Sequence, residues 1–470
     1  MESNSPRINI LENNLIFSGN DQKRDKIEES KHLGIEVFKV KGLIDLVIKF
    51  LDINSYRNFI KINHLIYKYN IFIPKTIHIT KKLDAHSLEV IKKVHNINKI
   101  KIYYDIDITP LKQVLDMSFI TEIEIENHSN IDYSCLCEFK NLAILKFETI
   151  GTDLSFLKNI QKLEKLVIYL TPNNQSEYNT KYFDKNSDIL GELTKLTNLK
   201  SLNIPRIVFN TISKLISLLN LEELNLNKCI SKTGYSSLSK LKSLKILNLN
   251  EAEVNDISWI KDLVKLTELD LSNNLNIKDF SSLSDLINLK KLTIENIYSL
   301  SGNKFNVNLE FAKKLKNLEF LNINGCTSCC NLALNQLTKL TILKIRDNDL
   351  KDITFLETLS NLCWLDISYN KNIFDFFPIS KLTKLKKLEI RRNGLDNISF
   401  IESLINLNYL DISENKGIKD FLPLRKLGKL KKINLQKTFF GSDISFINTF
   451  DHYVIVTLEK KIIDNIRNNL

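Results

Sequence analysis

The chain repeats one short frame of leucines and other aliphatic residues every 22 or 23 positions, from residue 74 almost to its end. The clearest copies share L-x-x-L-x-L-x-x-N, followed by an aliphatic pair and polar residues. A repeat this short cannot bury its own leucines, so neighbouring repeats must stack to build one continuous core. The frame therefore predicts a stack of repeats. Its copies begin at Pro74, Ile97, Ile120, Leu142, Leu163, Leu199, Leu221, Leu244, Leu266, Leu289, Leu318, Leu340, Leu362, Leu385, Leu407, Leu430 and Tyr453.

Side-chain alternation assigns a role to each position of the frame. The second and third leucines of L-x-x-L-x-L point inward and the residues between them point outward, as in any half-buried strand. The ninth position predicts an amide ladder through the array, because a buried asparagine can hydrogen-bond the turning backbone. That position is asparagine at Asn274, Asn348, Asn370, Asn393 and Asn415, and cysteine at Cys229 and Cys326.

A second landmark fixes the spacing between repeats. Nine repeats carry an Asp or Asn followed by apolar residues, and the next frame begins ten residues later. The motifs are DYSCL from Asp132, DLSFL from Asp153, DISWI from Asp256, DFSSL from Asp279, DITFL from Asp352, DFFPI from Asp375, NISFI from Asn397, DFLPL from Asp420 and DISFI from Asp443. Trp259, inside DISWI, falls on an inward position and is predicted to be core.

The frame resembles the leucine-rich repeat, and its D-I-S-x-L landmark is similar to the short repeats of internalins and of a phosphatase-regulating leucine-rich protein. The resemblance implies an α/β repeat solenoid, a horseshoe of about 17 repeats over residues 74–458 with a parallel sheet on its concave side and irregular or short helical turns outside. Residues 459–470, EKKIIDNIRNNL, predict a C-terminal capping helix after the last strand. Insertions at 169–190 and 297–308 are expected to loop out from the edge.

The outward positions of the C-terminal repeats hold the candidate partner-binding residues. Trp, Tyr and Arg are favoured at binding hot spots, and here they cluster within a few repeats on what should be the concave face. The alternative is that these are ordinary exposed aromatics, which are common on protein surfaces. The candidates are Phe320, Arg346, Trp364, Asp366, Tyr369, Glu389, Arg391, Tyr409 and Asp411.

Residues 37–73 lack the repeat frame and instead show helical stripes of apolar residues, which predict a small N-terminal helical domain. Short helices directly before leucine-rich repeats resemble the F-box. That resemblance implies docking on the adaptor subunit of a cullin-based ubiquitin ligase through Val47, Ile48, Leu51, Phe59 and Ile62. The segment departs from the family, with Lys39 and Val40 at its early Leu-Pro and Ile66 or Tyr67 at its late tryptophan. The alternative is a segment that only caps the first repeat.

No catalytic constellation or phosphate-binding motif occurs in the 470 residues. Cys326 and Cys329 form a CxxC without the second pair that a zinc site needs, so no metal or cofactor is expected. The net charge of +11 is spread along the whole chain, which disfavours nucleic acid as a partner. No apolar run reaches the roughly 18 residues that span a bilayer.

These observations predict a non-catalytic adaptor for protein partners, monomeric before it joins a complex. The seven cysteines suggest reduced thiols and a cytoplasmic location, with the nucleus also open. Residues 1–36 are polar and predicted to be disordered. The first functional hypothesis is the substrate receptor of a ubiquitin ligase. The second is a scaffold or regulatory subunit that binds an enzyme such as a phosphatase through the concave face, with residues 37–73 only a cap.

Overall fold

The structure is a computed structural model, and its described part comprises thirteen stretches of the chain. These are residues 7–11, 14–18, 76–79, 83, 85–92, 97–103, 109–126, 133–149, 154–170, 189–296, 305–327, 331–438 and 454–458. The chain divides into two compact units. The N-terminal unit is Asp25–Ala252, and the C-terminal unit is Glu253–Leu470 together with Met1–Arg24.

Short strands dominate the described residues. They are β1 (Arg7–Leu11), β2 (Asn14–Ser18), β3 (Thr76–Ile79), β4 (Lys99–Tyr103), β5 (Glu122–Glu126), β6 (Ile144–Thr149), β7 (Lys165–Leu170), β8 (Ser201–Asn203), β9 (Val208–Thr211), β10 (Glu223–Asn225), β11 (Ile230–Thr233), β12 (Ile246–Asn248), β13 (Glu268–Asp270), β14 (Lys291–Thr293), β15 (Phe305–Asn306), β16 (Phe320–Asn322), β17 (Cys326–Thr327), β18 (Ile342–Lys344), β19 (Trp364–Asp366), β20 (Lys387–Glu389), β21 (Tyr409–Asp411), β22 (Lys432–Asn434) and β23 (Val454–Thr457).

One strand from each repeat frame enters a parallel ladder. In the N-terminal unit the pairing runs β3 to β8 in chain order, then β10 and β12. In the C-terminal unit it runs from β13 through β14, β16 and β18 to β23. The remaining parallel pairs, β9 with β11 and β15 with β17, lie outside these ladders. This arrangement confirms the predicted leucine-rich-repeat solenoid with its parallel sheet.

The core follows the predicted alternation. Leu343, Leu365, Leu388 and Leu410 are register partners on adjacent strands, and each has 0% of its surface exposed. The outward residues on either side of them stay partly exposed, except Asp411, which is buried. Trp259 is 6% exposed, and its indole N–H donates to the Asp256 carbonyl at 2.9 Å. Its predicted core position is therefore confirmed.

The landmark Asp starts a short 3₁₀ turn on the side opposite the strands. Asp352 accepts a hydrogen bond from the Thr354 N–H at 2.8 Å, and Asp375 accepts one from the Phe377 N–H at 2.8 Å. A carboxylate two residues ahead satisfies an N–H that has no partner within the turn. The 3₁₀ turns are Thr109–Gln113, Met117–Phe119, Tyr133–Glu138, Ser155–Asn159, Ser213–Ser217, Tyr235–Lys240, Ser258–Asp262, Ser281–Asp285, Leu309–Lys314, Thr354–Thr358, Phe377–Lys381, Ser399–Ser403 and Leu422–Lys426.

Three short α-helices replace such turns: α1 (Ala85–Lys92), α2 (Ile189–Leu193) and α3 (Asn331–Leu334). Within the described residues, no helix has both the length and the apolar character that crossing a membrane requires.

The asparagine ladder is present and buried. The Asn370 amide donates to the carbonyls of Ile345 and Ile367 at 2.9 and 2.8 Å. Its oxygen accepts from the N–H groups of Asn348 and Leu350 at 2.9 and 3.2 Å. Asn415 makes the equivalent contacts two repeats later. Each amide thus joins its own turn to the preceding repeat, as predicted.

Two strands lie in the 1–36 segment that we predicted to be disordered, and that prediction was wrong for them. β1 pairs with β2 in an antiparallel hairpin, and β2 pairs antiparallel with β23. The sequences RINIL and NLIFS mix apolar and polar residues over too short a span to be distinguished from a polar tail. The open edge of β23, at the end of the ladder, supplies the backbone partners that isolated strands lack. The predicted domain 37–73, the capping helix 459–470 and most of both insertions lie outside the described residues.

Candidate interaction face

The outward side chains of β16 and β18–β22 form one surface in the C-terminal unit, which we call the strand face. The strands pair in register, so equivalent positions line up in rows. Adjacent strands lie about 4.8 Å apart, which brings long side chains from neighbouring repeats into contact.

Trp364, Lys387, Tyr409 and Lys432 alternate along the first row of this face, and the Lys344 side chain reaches this row from the neighbouring one. The Trp364 ring lies between two ammonium groups, with Lys344 Nζ at 4.3 Å and Lys387 Nζ at 3.9 Å from its centroid. Lys387 Nζ is also 5.0 Å from the Tyr409 ring, and Lys432 Nζ is 5.9 Å from it. Cation–π attraction holds each ammonium over a ring face. We call Trp364, Tyr409 and these three lysines the aromatic–lysine row.

Carboxylates occupy the next row, and their hydrogen bonds are largely internal. Glu389 accepts from the Trp364 indole at 3.0 Å and pairs with Lys387 at 3.0 Å. Asp411 accepts from the Asn434 amide at 2.9 Å and is only 9% exposed. Asp411 is therefore less accessible than the sequence predicted, because its neighbour covers it.

A tyrosine and three arginines meet beyond the carboxyl ends of the strands. Tyr369 adopts a left-handed backbone conformation, with φ of 65°. The guanidinium carbons of Arg346, Arg391 and Arg392 lie 4.2, 5.4 and 5.5 Å from its ring centroid. Glu414 accepts from Arg391 Nε at 3.0 Å, and this hydrogen bond is the main cause that holds the pKa of the Glu414 carboxyl below its ordinary value. The cluster is thus partly neutralised, and Arg346 has no such carboxylate contact in the described part of the chain.

Two kinds of repeat alternate along the face. The frames at Leu362 and Leu407 carry an aromatic residue and then Asp and Ser, as in CWLDIS and NYLDIS. The frames at Leu340, Leu385 and Leu430 carry basic residues instead, as in KKLEIR. Like repeats are 45 residues apart, so the pattern returns on every second strand. The structural unit of this face is a pair of repeats.

In the N-terminal unit, the outward residues of β4–β6 form ion pairs across neighbouring strands. Lys99 pairs with Glu122 at 2.7 Å, Lys101 pairs with Glu124 at 3.3 Å, and Lys146 reaches Glu122 at 3.6 Å. These opposite charges from β4–β6 satisfy one another. In the C-terminal unit, by contrast, no carboxylate of the described residues lies within 4.0 Å of the ammonium groups of Lys344 and Lys432.

The buried carboxyl of Asp366 leads to a prediction on pH. Burial, the largest cause, and the nearby charge of Glu389 raise the pKa of Asp366 above its ordinary 3.8, against the hydrogen bonds from Ser368. A raised pKa in the folded state means that ionisation disfavours folding, so the cost is present at neutral pH and is relieved as pH falls through the folded-state pKa toward 3.8. Asp366→Asn keeps the acceptor for the Ser368 N–H and removes the charge. We expect a higher urea midpoint at pH 7 and a smaller gain on acidification than in the unmodified chain.

The matched control for this prediction is Asp352→Asn, which retains a side-chain acceptor for Thr354 at an exposed position. Its urea midpoint at pH 7 and its gain on acidification should both match those of the unmodified chain. A lower midpoint for Asp366→Asn at pH 7 would contradict the assignment of a destabilising carboxylate.

The structure brings most of the candidate residues together. Trp364, Asp366, Glu389, Tyr409 and Asp411 lie on three consecutive strands. Phe320 lies two strands from Trp364. Their role in binding stays a prediction, and the adaptor-docking candidates Val47, Ile48, Leu51, Phe59 and Ile62 lie outside the described residues.

Sequence reasoning did not select Lys344, Lys387, Lys432, Arg392 or Glu414. Each is a common surface residue type, and its place on the face depends on which ring or charge its flexible side chain reaches. The alternation over 45 residues was the signal that could have identified the lysines.

The described residues contain no group of three or more His, Cys, Asp or Glu side chains arranged to hold a metal ion. A shallow polar cavity of about 620 Å³ lies in the N-terminal unit, at the edge where the strands begin. Asn141 and Lys162 on its wall are hydrogen-bonded at 2.5 Å, and Glu164 and Lys200 pair at 3.0 Å. The charged groups on its wall are thus already paired.

No protein-family model matches the chain, and no curated protein matches it in sequence. Among solved structures, an internalin (InlF) from Listeria monocytogenes is 27% identical over 55% of this chain and 80% of its own, with a TM-score of 0.45. The functional domain of InlJ, also from Listeria monocytogenes, is 21% identical over 62% of this chain and 57% of its own, with a TM-score of 0.45. A leucine-rich-repeat protein from Leptospira interrogans is 17% identical over 83% of this chain and 91% of its own, with a TM-score of 0.50. The similarity to the Leptospira protein, together with the ladder of strands, shows that the chain has the leucine-rich-repeat fold.

Proposed function

We propose that the chain is a non-catalytic binding protein that holds a protein partner on the strand face of its C-terminal unit. The observation that carries this proposal is the aromatic–lysine row, in which half-buried Trp364 and Tyr409 stand beside lysines on consecutive strands. Trp and Tyr supply the large contact areas that dominate binding energy. The parallel ladder fixes their spacing, so little side-chain freedom is left to lose on binding.

The charges of this face favour a protein over a nucleic acid. Asp366, Glu389 and Asp411 follow one another on three adjacent strands within the face. A nucleic acid carries a charge on every nucleotide and would bring phosphates against that row, whereas a protein can place acidic groups over the lysines and neutral or basic groups elsewhere.

Trp364→Ala is expected to weaken binding of the partner by about 30-fold, because truncating a central aromatic anchor costs about 2 kcal/mol or more. The partner is captured from cell lysate on the immobilised full chain, identified by mass spectrometry and titrated calorimetrically against both forms. The matched control is Tyr169→Ala, which removes an aromatic residue that is 45% exposed in the N-terminal unit. Equal losses for the two variants, or none for Trp364→Ala, would contradict the proposal.

Two narrower hypotheses differ in what residues 37–73 do. In the first, this segment docks the adaptor of a cullin-based ubiquitin ligase and the strand face holds the substrate. The support is the apolar helical pattern of Val47, Ile48 and Leu51 ahead of the repeats. In the second, the segment only caps the solenoid and the strand face binds an enzyme such as a phosphatase. Both fit a cytoplasmic protein.

Capture with the full-length Leu51→Asp variant separates the two. Under the ligase hypothesis the unmodified chain retains a cullin adaptor, and the variant loses it while keeping the partner that depends on Trp364. Recovery of no cullin adaptor by the unmodified chain from eukaryotic lysate excludes the ligase hypothesis. A captured phosphatase whose retention requires Trp364 supports the scaffold instead.

A further inference from the structure

We propose that the strand face binds an extended peptide in the polyproline II conformation, which crosses the strands and carries an acidic residue at every third position. This inference rests on the proposed function and adds the shape and charge of the bound segment. It depends on the two-repeat period of the aromatic–lysine row.

The spacing of the lysines selects this conformation. Lys387 and Lys432 lie on β20 and β22, two strands apart, so their backbones are separated by about 9.6 Å. A polyproline II helix rises about 3.1 Å per residue with three residues per turn, so one side chain per turn faces the same way every ~9.3 Å. A β-strand presents the same side about every 6.8 Å, and the next matching interval is twice that. An α-helix rises about 1.5 Å per residue and returns to one side after seven residues, at about 10.5 Å. Polyproline II has the closest match.

The match extends over the whole row. Lys344 on β18 is the register partner of Asp366 in the neighbouring row, and its side chain reaches across to place the ammonium 4.3 Å from the Trp364 ring centroid, beside the other two lysines. From β18 to β22 the distance is about 19 Å, and six residues of polyproline II cover about 18.6 Å. Three acidic residues at positions i, i+3 and i+6 can therefore face Lys344, Lys387 and Lys432 in turn.

Charge accessibility favours an acidic ligand. Lys344 and Lys432 contact aromatic rings and have no carboxylate partner among the described residues. The acidic side chains between them are already engaged, since Asp366 accepts from the Ser368 N–H at 3.0 Å and Asp411 accepts from Asn434. Of these three lysines, Lys387 alone forms an ion pair with a carboxylate of the described residues, that of Glu389. The groups left to recognise a partner are three lysines, one on every second strand.

The residues between the acidic positions would meet Trp364 and Tyr409, which alternate with the lysines. Proline suits these places because it is held in the polyproline II conformation before binding and so loses little entropy. Proline also needs no hydrogen-bond acceptor from the face, because it lacks an N–H group. Aromatic-lined surfaces recognise proline-rich segments by this physics in general.

The test uses the full chain and a synthetic peptide of five Glu-Pro-Pro triplets. Its control peptide has the same composition with the five glutamates in one block. A second control is five Lys-Pro-Pro triplets, and a third is a single-stranded oligouridylate of fifteen nucleotides. Binding is followed by tryptophan fluorescence, because Trp364 lies on the face and the second tryptophan, Trp259, is 6% exposed in the core.

We expect the phased acidic peptide to bind at least about tenfold more tightly than the blocked peptide, a difference of about 1.4 kcal/mol. Lys387→Met and Lys432→Met should each weaken it several-fold, since both keep an apolar stem over the rings and lose the charge. Lys99→Met in the N-terminal unit should leave it unchanged. Equal affinity for both acidic peptides, or tighter binding of the oligouridylate, overturns the proposal.

The outcome also separates this inference from the proposed function. If Trp364→Ala releases the captured protein partner but neither acidic peptide is preferred, the binding face stands and the polyproline II inference fails. If Trp364→Ala changes neither partner capture nor peptide binding, which is followed calorimetrically for this variant because it lacks the fluorescent reporter, both fail.

Discussion

Replacing Asn370 by alanine should lower the unfolding free energy of the C-terminal unit by about 3 kcal/mol or more. The side chain is fully buried and links two repeats, accepting from the N–H groups of Asn348 and Leu350 and donating to two carbonyls. Alanine leaves these groups buried without partners, and each such group costs roughly 1–3 kcal/mol. The loss is measured by urea unfolding followed by circular dichroism.

Two controls test whether the ladder, rather than asparagine itself, carries this effect. Asn361→Ala removes two exposed hydrogen bonds, from its amide to the Thr338 carbonyl at 2.9 Å and from the Lys384 ammonium to its oxygen at 2.7 Å, and should cost less than about 1 kcal/mol because water replaces both. Asn348 is buried but its amide nitrogen has no partner among the described residues, so Asn348→Ala should fall between the two. A loss for Asn370→Ala no larger than that for Asn361→Ala would disprove the structural role of the ladder.

Deleting one repeat should destabilise the C-terminal unit more than deleting two. Removal of 385–406 places the strand of Asp366 directly beside that of Asp411, so two half-buried or buried carboxylates become neighbours. At about 5 Å and an effective dielectric constant of about 20, their repulsion is about 3 kcal/mol. In the same variant, Lys429 loses its hydrogen-bond acceptor Asn406 and gains the like-charged Lys384 as a neighbour. Removal of 362–406 leaves the alternation intact.

Comparing the two deletions is informative because the variant with fewer residues should be the more stable of the two. In a simple array, stability falls with each repeat removed, since intrinsic and interface contributions add. We expect the highest urea midpoint for the intact chain, a lower one for the 45-residue deletion and the lowest for the 22-residue deletion. The third variant for comparison carries the 22-residue deletion and Asp411→Asn, which should recover part of the loss. A midpoint that falls steadily with the number of repeats removed would contradict a two-repeat structural unit.

The repeat frame made the solenoid predictable because its positions depend on local chemistry. Leu365 is buried wherever the frame is stacked, and Asn370 finds backbone partners in any turn of that shape. Asp352 caps the turn that begins two residues after it. Each of these roles is decided by spacing within one repeat and its neighbour, so the sequence contains the information.

Two other features depend on contacts that spacing does not determine. Lys387 could have extended into solvent, and only the ring faces of Trp364 and Tyr409 on both sides place its ammonium in the row. The hairpin of β1 and β2 pairs with β23, more than 400 residues away in the chain. Local propensity could not reveal that partner. The strand positions of the candidate residues could therefore be predicted from the sequence, while the contacts of the lysines emerged only from the structure.

Each unit has a cysteine at one ladder position, so the opening of the two units can be measured separately. Cys229 donates to the Ile204 carbonyl at 2.9 Å and Cys326 to the Ile294 carbonyl at 2.8 Å, and both are fully buried. Burial raises the pKa of the Cys229 thiol to about 12 and also raises that of Cys326, so neither can react with an alkylating reagent while its repeat is closed. Alkylation of Cys229 therefore times the opening of the N-terminal unit and that of Cys326 the opening of the C-terminal unit, within a single unmodified molecule.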